Sequence, residues 1–193
     1  MSIIKLLLKA PHRYCYIRQD RMTVTAILVS LVALAGVSIA NTNTDREYIE
    51  FSKFDVGRCI DASDTAPTTG VTAIRLLDAN GTVVLNVDYR KHWGYNPYTG
   101  KPWENIFLFN SKVEGIWGPE HHVKDVLTTP GTIMSLSICA EDTQFSIVFN
   151  WKEIAKYTYR TPVISISKAG FFTWGNDSVL KKLCVLYYQS EGQ

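Results

Sequence analysis

The sequence predicts an all-β domain, a sandwich of two antiparallel sheets built from about ten short strands. Three observations carry that expectation. From residue 41 onward, short runs of alternating apolar and polar residues recur roughly every ten residues, with turn signals between them. No segment after residue 45 keeps a helical period of 3.6. Five Trp, ten Tyr and an aromatic content of 12% lean the composition towards strands and binding surfaces.

The 193 residues, with 46% hydrophobic and 20% charged content, fit one globular domain with extensions. The net charge of +2 comes from the N-terminus, where Lys5, Lys9, Arg13, Arg18 and Arg21 stand against Asp20 alone. Residues 41–193 hold 15 basic and 17 acidic groups, so no basic face for nucleic acid is expected. The four cysteines, Cys15, Cys59, Cys139 and Cys184, have no metal-ligand spacing. Three follow the apolar run described next, an odd number, so at least one is expected to be unpaired or to pair between chains. Cys139 reads as a small core residue of an alternating strand. A bridge between Cys59 and Cys184 is left open, and a domain of about 145 residues can bury enough core without one.

Residues 1–40 read as a basic, irregular segment (1–22) followed by an 18-residue uncharged run, Thr23–Ala40. That run is either a signal peptide, with small residues placed for cleavage after Ala40, or a signal anchor at the lower limit of spanning length. Met22 competes with Met1 as the start, since it leaves a compact leader. The positive flank precedes the run, so an anchored form places the β domain outside the cytosol. Both readings imply the secretory pathway, with membrane anchorage by residues 23–40 in the second. The sequons at Asn80 and Asn176 fit that route as glycosylation sites. Residues 41–47 are a polar linker, and the folded domain is expected over 48–189.

Within the domain, Phe54–Ile60 is a turn entering a first strand, Asp64–Gly70 a loop, and Val71–Leu77 a strand. Asp78-Ala79-Asn80-Gly81 is a hairpin turn. In the strand Val83–Arg90, Val83, Leu85, Val87 and Tyr89 share one face, and Asn86, Asp88 and Arg90 form a polar row on the other. Taken alone, that row reads as the solvated outer face common in antiparallel strands. Lys91–Glu104 is a long loop carrying Trp93, Tyr95, Tyr98 and Trp103, which either pack it onto the sandwich or rim a site. Thr132–Ala140, Phe145–Trp151, Thr161–Ser167 and Leu180–Tyr188 are the remaining strands.

Asn105–Ser111 and the segment that follows carry the chemistry. An alternating strand delivers Asn110 at its end, and after a five-residue turn Trp117-Gly118-Pro119-Glu120 follows. A Gly-Pro turn runs at the surface, so Trp117 is expected exposed. A flat ring, an amide and a carboxylate within eleven residues suit a sugar: the ring packs on C–H groups and the polar groups fix hydroxyls.

This order of motifs resembles a galectin carbohydrate-recognition domain over roughly Tyr48 to Tyr188. The carriers are Val84-Leu85-Asn86-Val87-Asp88-Tyr89-Arg90, Asn105–Ser111, Trp117-Gly118-Pro119-Glu120, Pro130-Gly131-Thr132 and Phe145–Asn150. The resemblance implies a jelly-roll sandwich of five- and six-stranded sheets that binds β-galactosides without metal, cofactor or catalysis, in a family that often dimerises through sheet edges. The family's strand motif reads His-x-Asn-x-Arg. Here Asn86, Asp88 and Arg90 hold those positions, so only Arg90 is kept. Asn110, Trp117 and Glu120 match the family's strand-end Asn, stacking Trp and Glu, while His122 replaces a second Arg.

The departures have chemical consequences. Asn86 still donates and accepts but is shorter than His. Asp88 offers a carboxylate that accepts where an amide would donate, and it adds negative charge beside Arg90. Glu120 is expected to share Arg90. His122 reaches less far than Arg and lacks its permanent charge. Stacking on Trp117 is untouched by all three changes, so an altered sugar preference is expected. The competing reading is a galectin-fold module that has lost sugar binding and contacts protein. A glycosidase on a related jelly roll needs two carboxylates across a cleft, and Arg90 beside Asp88 and Glu120 makes both poor general acids. His121 and His122 are adjacent in an extended chain and point to opposite faces, so no metal site is expected.

Overall fold

The computed structural model describes residues 5–10, 13–18, 46–51, 54–160, 166–175 and 180–187. The apolar run 23–40 and the Asn176 sequon lie outside them. The strands are β1 (Lys5–Ala10), β2 (Arg13–Arg18), β3 (Arg46–Glu50), β4 (Arg58–Thr65), β5 (Gly70–Asp78), β6 (Val83–Lys91), β7 (Ile106–Asn110), β8 (Lys112–Val113), β9 (Ile116–Trp117), β10 (His121–Val123), β11 (Ile133–Ala140), β12 (Gln144–Phe149), β13 (Lys152–Thr158), β14 (Ile166–Trp174) and β15 (Leu180–Tyr187). Two antiparallel sheets face each other. One runs β10-β7-β6-β5-β14-β3, the other β1-β2-β15-β4-β11-β12-β13, and β8-β9 is a separate ribbon. Among the described residues no helix is long and apolar enough to cross a membrane.

The core lies between the sheets. Leu85, Val87 and Tyr89 of β6 and Phe107 and Phe109 of β7 meet Ile138 of β11 and Phe145, Ile147 and Phe149 of β12. Each such side chain contributes about 1.5–3 kcal/mol on burial. Period-two alternation thus fixes which face of β6 turns inward, as the sequence implies. The turn after β5 falls where expected, and Asp78 Oδ1 accepts from the backbone N–H of Asn80 at 2.9 Å and of Thr82 at 2.8 Å. Only Gly81 takes a positive φ there, 81°, while Asn80 keeps an ordinary one. The turn is closed by the Asp78 N–H donating to the Thr82 carbonyl at 3.1 Å, and one pair further in the register slips between Leu76 and Leu77, a bulge.

Several segments depart from expectation. Residues 1–22 are not irregular throughout: β1 and β2 form a hairpin, and β2 pairs with β15, Ile17 opposite Lys182 and Cys15 opposite Cys184. This hairpin turns the expected five-stranded sheet into a seven-stranded one. The linker is shorter than 41–47, since β3 begins at Arg46. β4 runs on to Thr65, which shortens the expected 64–70 loop. Trp151 is not in a strand. Asn150 and Trp151 form the tip between β12 and β13 with φ of 46° and 68°, and β13 is a strand the sequence reading passed over. The strand read at Thr161–Ser167 overlaps β14 at Ile166 and Ser167, β14 runs on to Trp174, and 161–165 lie outside the described residues. Cys139 is not a free core thiol but is bonded to Cys59, its cross-strand partner between β4 and β11. Cys184 is also disulfide-bonded, and no cysteine among the described residues is free.

Tyr159 gives an alkaline signature. Its ring lies edge-on to Phe145, centroids 4.7 Å apart, and its hydroxyl donates to the Glu141 carbonyl. Burial first, then the carboxylates of Glu141 and Asp142, push its phenol up to about 12. A folded value above the unfolded one, about 10, means that its contribution is full below pH 10 and is lost as pH rises towards 12. Tyr159→Phe is expected to flatten the fall in stability across that window, read by denaturant unfolding at stepped pH.

Candidate functional site

The outer face of the six-stranded sheet carries the sequence-predicted residues. Register aligns Asn110, Asn86, Arg75, Gly170 and Tyr48 in one row across β7, β6, β5, β14 and β3. The next row holds His122, Leu108, Asp88, Ala73 and Phe172. Arg90 lies opposite Ile106. One sheet face thus brings Asn86, Asp88, Arg90, Asn110 and His122 together.

This face is not simply solvated. Asn86 is 6% exposed and Asp88 8%. Buried polar groups need partners, and here they form a chain. Arg75 Nε donates to Asn86 Oδ1 at 2.7 Å, and Asn86 Nδ2 donates to Asp88 Oδ1 at 2.7 Å. Asp88 Oδ2 pairs with an Arg90 terminal nitrogen at 3.2 Å. Arg90 Nε is buried with no hydrogen-bond partner. Glu120 does not share Arg90 as expected. Its Oε2 meets His122 Nε2 at 2.9 Å, because β10 sets that imidazole two residues on along the same edge.

The aromatic loop after β6 packs onto the sheet, the first of the two alternatives foreseen for it. Trp93 and Trp103 pair through reciprocal backbone bonds of 3.1 Å, which pins the loop as a small ribbon. Trp103 is buried with Ile106 and Leu108 in a second apolar cluster on the outer face and meets the His122 ring edge-on at 5.2 Å. Tyr95 and Tyr98 stay exposed. His121 turns the other way, edge-on to Phe109 at 5.8 Å, so the two histidines do diverge. Among the described residues no group of three or more His, Cys, Asp or Glu is placed to hold a metal.

Trp117 stands at the rim, 42% exposed. Glu114 and Gly115, with φ of 52° and 80°, make the tight turn that returns β9 beside β8. The Lys112 ammonium sits over the Trp117 ring, 5.0 Å from its centroid. Asn110 Nδ2 donates to the Gly118 carbonyl at 2.9 Å, and Asn110 Oδ1 accepts from Ser111 N at 2.8 Å. Beneath, Arg160 donates to the Ser111 carbonyl at 2.6 Å and lies against Gly118, where any Cβ would run into its guanidinium. Asn110 is therefore the clasp of the turn that presents Trp117. Asn110→Ala is expected to cost about 1–2 kcal/mol of stability by orphaning that carbonyl, measurable by denaturant melts.

The family model for galactoside-binding lectins matches residues 85–179, which include the polar row, Asn110, Trp117, Glu120 and His122. Galectin b of Aplysina lactuca is 54% identical over 135 residues, covering 70% of this chain and 93% of that protein. The chain belongs to the galectin family. A galactose-binding lectin of Chondrilla caribensis is 41% identical over 126 residues, 65% of this chain and 89% of that one. Among solved structures, a tetrameric galectin from the ball sponge Cinachyrella sp. superposes with a TM-score of 0.63 at 21% identity, covering 75% of this chain and 99% of its own. Congerin II with lactose and MES superposes at 0.60 and 17% identity, covering 73% and 99%. The galectin jelly roll accounts for the six-stranded sheet and for β15-β4-β11-β12-β13. The N-terminal hairpin and Arg75 were not singled out from the sequence, whereas the aromatic loop was. Only the aromatic density of the loop was a signal.

Proposed function

We propose that this galectin binds β-galactosides or related glycans non-covalently, with one sugar face on Trp117 and hydroxyls on the polar row, and with a preference altered by Asn86, Asp88 and His122. It is a lectin and not an enzyme. The observation that carries the reading is Trp117 itself, an exposed ring held by the Asn110–Gly118 clasp beside the face that carries Asn86, Asp88 and Arg90. Stability alone does not call for such a ring. The test is retention on immobilised galactose with elution by free sugar. Release by galactose supports the site, and failure to bind any galactoside removes it.

A second reading has its own support. Asn86 and Asp88 already satisfy one another and their neighbours, which suits a galectin-fold module that contacts protein. Flow-through on every glycan column, with capture of a protein partner on the same face, would favour it.

We also place the β domain on the secretory route. The Cys59–Cys139 disulfide supports this, because such bonds persist in oxidising compartments, and Asn80 is exposed at its turn, open to glycosylation. The β2–β15 pairing requires residues 13–18 to stay beside β15, so it fits neither removal of residues 1–40 nor a span through 23–40. Thiol trapping and deglycosylation of the native protein test this. Free thiols at Cys59 and Cys139 together with an unmodified Asn80 would overturn it.

A further inference from the structure

We infer that Arg75 is a positioning residue that sets the sugar preference of this site by fixing the Asn86 amide. The inference rests on the galactoside-binding reading above. Arg75 lies directly between Asn86 on β6 and Gly170 on β14. Its guanidinium lies over the Phe172 ring at 4.6 Å and the Trp174 ring at 5.2 Å, and those rings stack 5.8 Å apart at 10°. A planar, delocalised cation on aromatic faces is held in orientation as well as in place. Gly170 is part of the device. A Cβ there would sit 2.7 Å from both the Phe172 and the Tyr48 rings, so only glycine lets them lie across β14 beside Arg75.

From this floor Arg75 Nε donates to Asn86 Oδ1. With its oxygen occupied, Asn86 turns its NH2 to Asp88, and the second Asp88 oxygen meets Arg90. An order that starts on the aromatic rings of β14 therefore ends on the guanidinium that faces the site. By the galectin resemblance Asn86 holds the position of the motif His that recognises the axial hydroxyl, and its donor and acceptor are interchangeable by a simple amide flip. Arg75 removes that freedom without touching the sugar. It therefore acts on discrimination between epimers and leaves stacking on Trp117 alone.

The experiment compares lactose with cellobiose, which differ only at the axial hydroxyl of the terminal sugar, by calorimetric titration of the full chain. Arg75→Met is expected to lower the lactose-to-cellobiose affinity ratio about fivefold, the scale of one hydrogen bond. In an Asn86→Ala background the same change should do nothing further. Arg75→Lys, a milder change that keeps the charge but not the planar fork, should move the ratio the same way if the Met variant folds poorly. An unchanged ratio overturns the inference, as does an Arg75 effect that persists without Asn86, which would mean direct contact with the glycan. The Asn86 side-chain amide resonances, followed by NMR without sugar, provide an independent readout. They should shift and exchange faster in both Arg75 variants. If the wild type binds neither disaccharide, the lectin reading fails while the resonances still report the Arg75–Asn86 link, and unmoved resonances overturn that link.

Discussion

Trp117→Ala is expected to weaken galactoside binding about 30-fold while leaving the fold intact. A pyranose face laid on an indole hides roughly 80 Å² of apolar surface, worth about 2 kcal/mol at about 25 cal/mol per Å², and each 1.4 kcal/mol is about tenfold in affinity. The ring adds little to the core, being 42% exposed at the rim, so its removal should change stability by less than about 0.5 kcal/mol. Lys112 covers one side of the ring, so the sugar is assigned to the other, and Lys112→Ala should cost far less than loss of the ring. Trp151 supplies the control. It is 92% exposed at the tip between β12 and β13, in the other sheet, and Trp151→Ala should bind as the wild type does. Titration of lactose into all three variants checks the set. A Trp117→Ala protein that binds normally would move the site elsewhere on the sheet.

The stacking half of this site was legible in the sequence, because it is local. Asn110, the turn, Trp117 and Glu120 lie within eleven residues, and the Gly-Pro pair by itself predicts a surface position for the ring. The alternation of β6 was legible for the same reason, and Leu85, Val87 and Tyr89 are indeed inside. The hydroxyl-reading half was less so. Asn86 and Asp88 look like a solvated face when β6 is read alone, yet Arg75 reaches them from β5, and the rings that hold Arg75 come from β14, more than eighty residues away in the chain. Partner choice was illegible where register decides it: Glu120 meets His122 instead of Arg90. β14 was only partly read: the run at 161–167 overlaps it at Ile166 and Ser167, and its continuation to Trp174 went unread because it contains Gly170, a poor strand former needed for the rings beside Arg75.

Removal of the Cys59–Cys139 bond is the largest stability change expected. The sequence could not reveal it, since 80 residues separate the two thiols and only the register of β4 with β11 sets them opposite one another. That separation gives the bond its weight. Cross-linking positions so far apart removes loop-closure entropy from the unfolded chain, worth about 4 kcal/mol in the chain-entropy model, against a total of about 5–15 kcal/mol for an ordinary domain. Cys59→Ala/Cys139→Ala should therefore lower the melting temperature by roughly 10–20 °C. The effect acts chiefly through the unfolded state, and the bond lies in the sheet opposite the site. Lactose affinity at 25 °C should consequently match the wild type as long as the variant remains folded. A melting temperature within a few degrees of the wild type would mean that the unfolded chain is already compact around these strands, and that the entropy the bond removes was never there to lose.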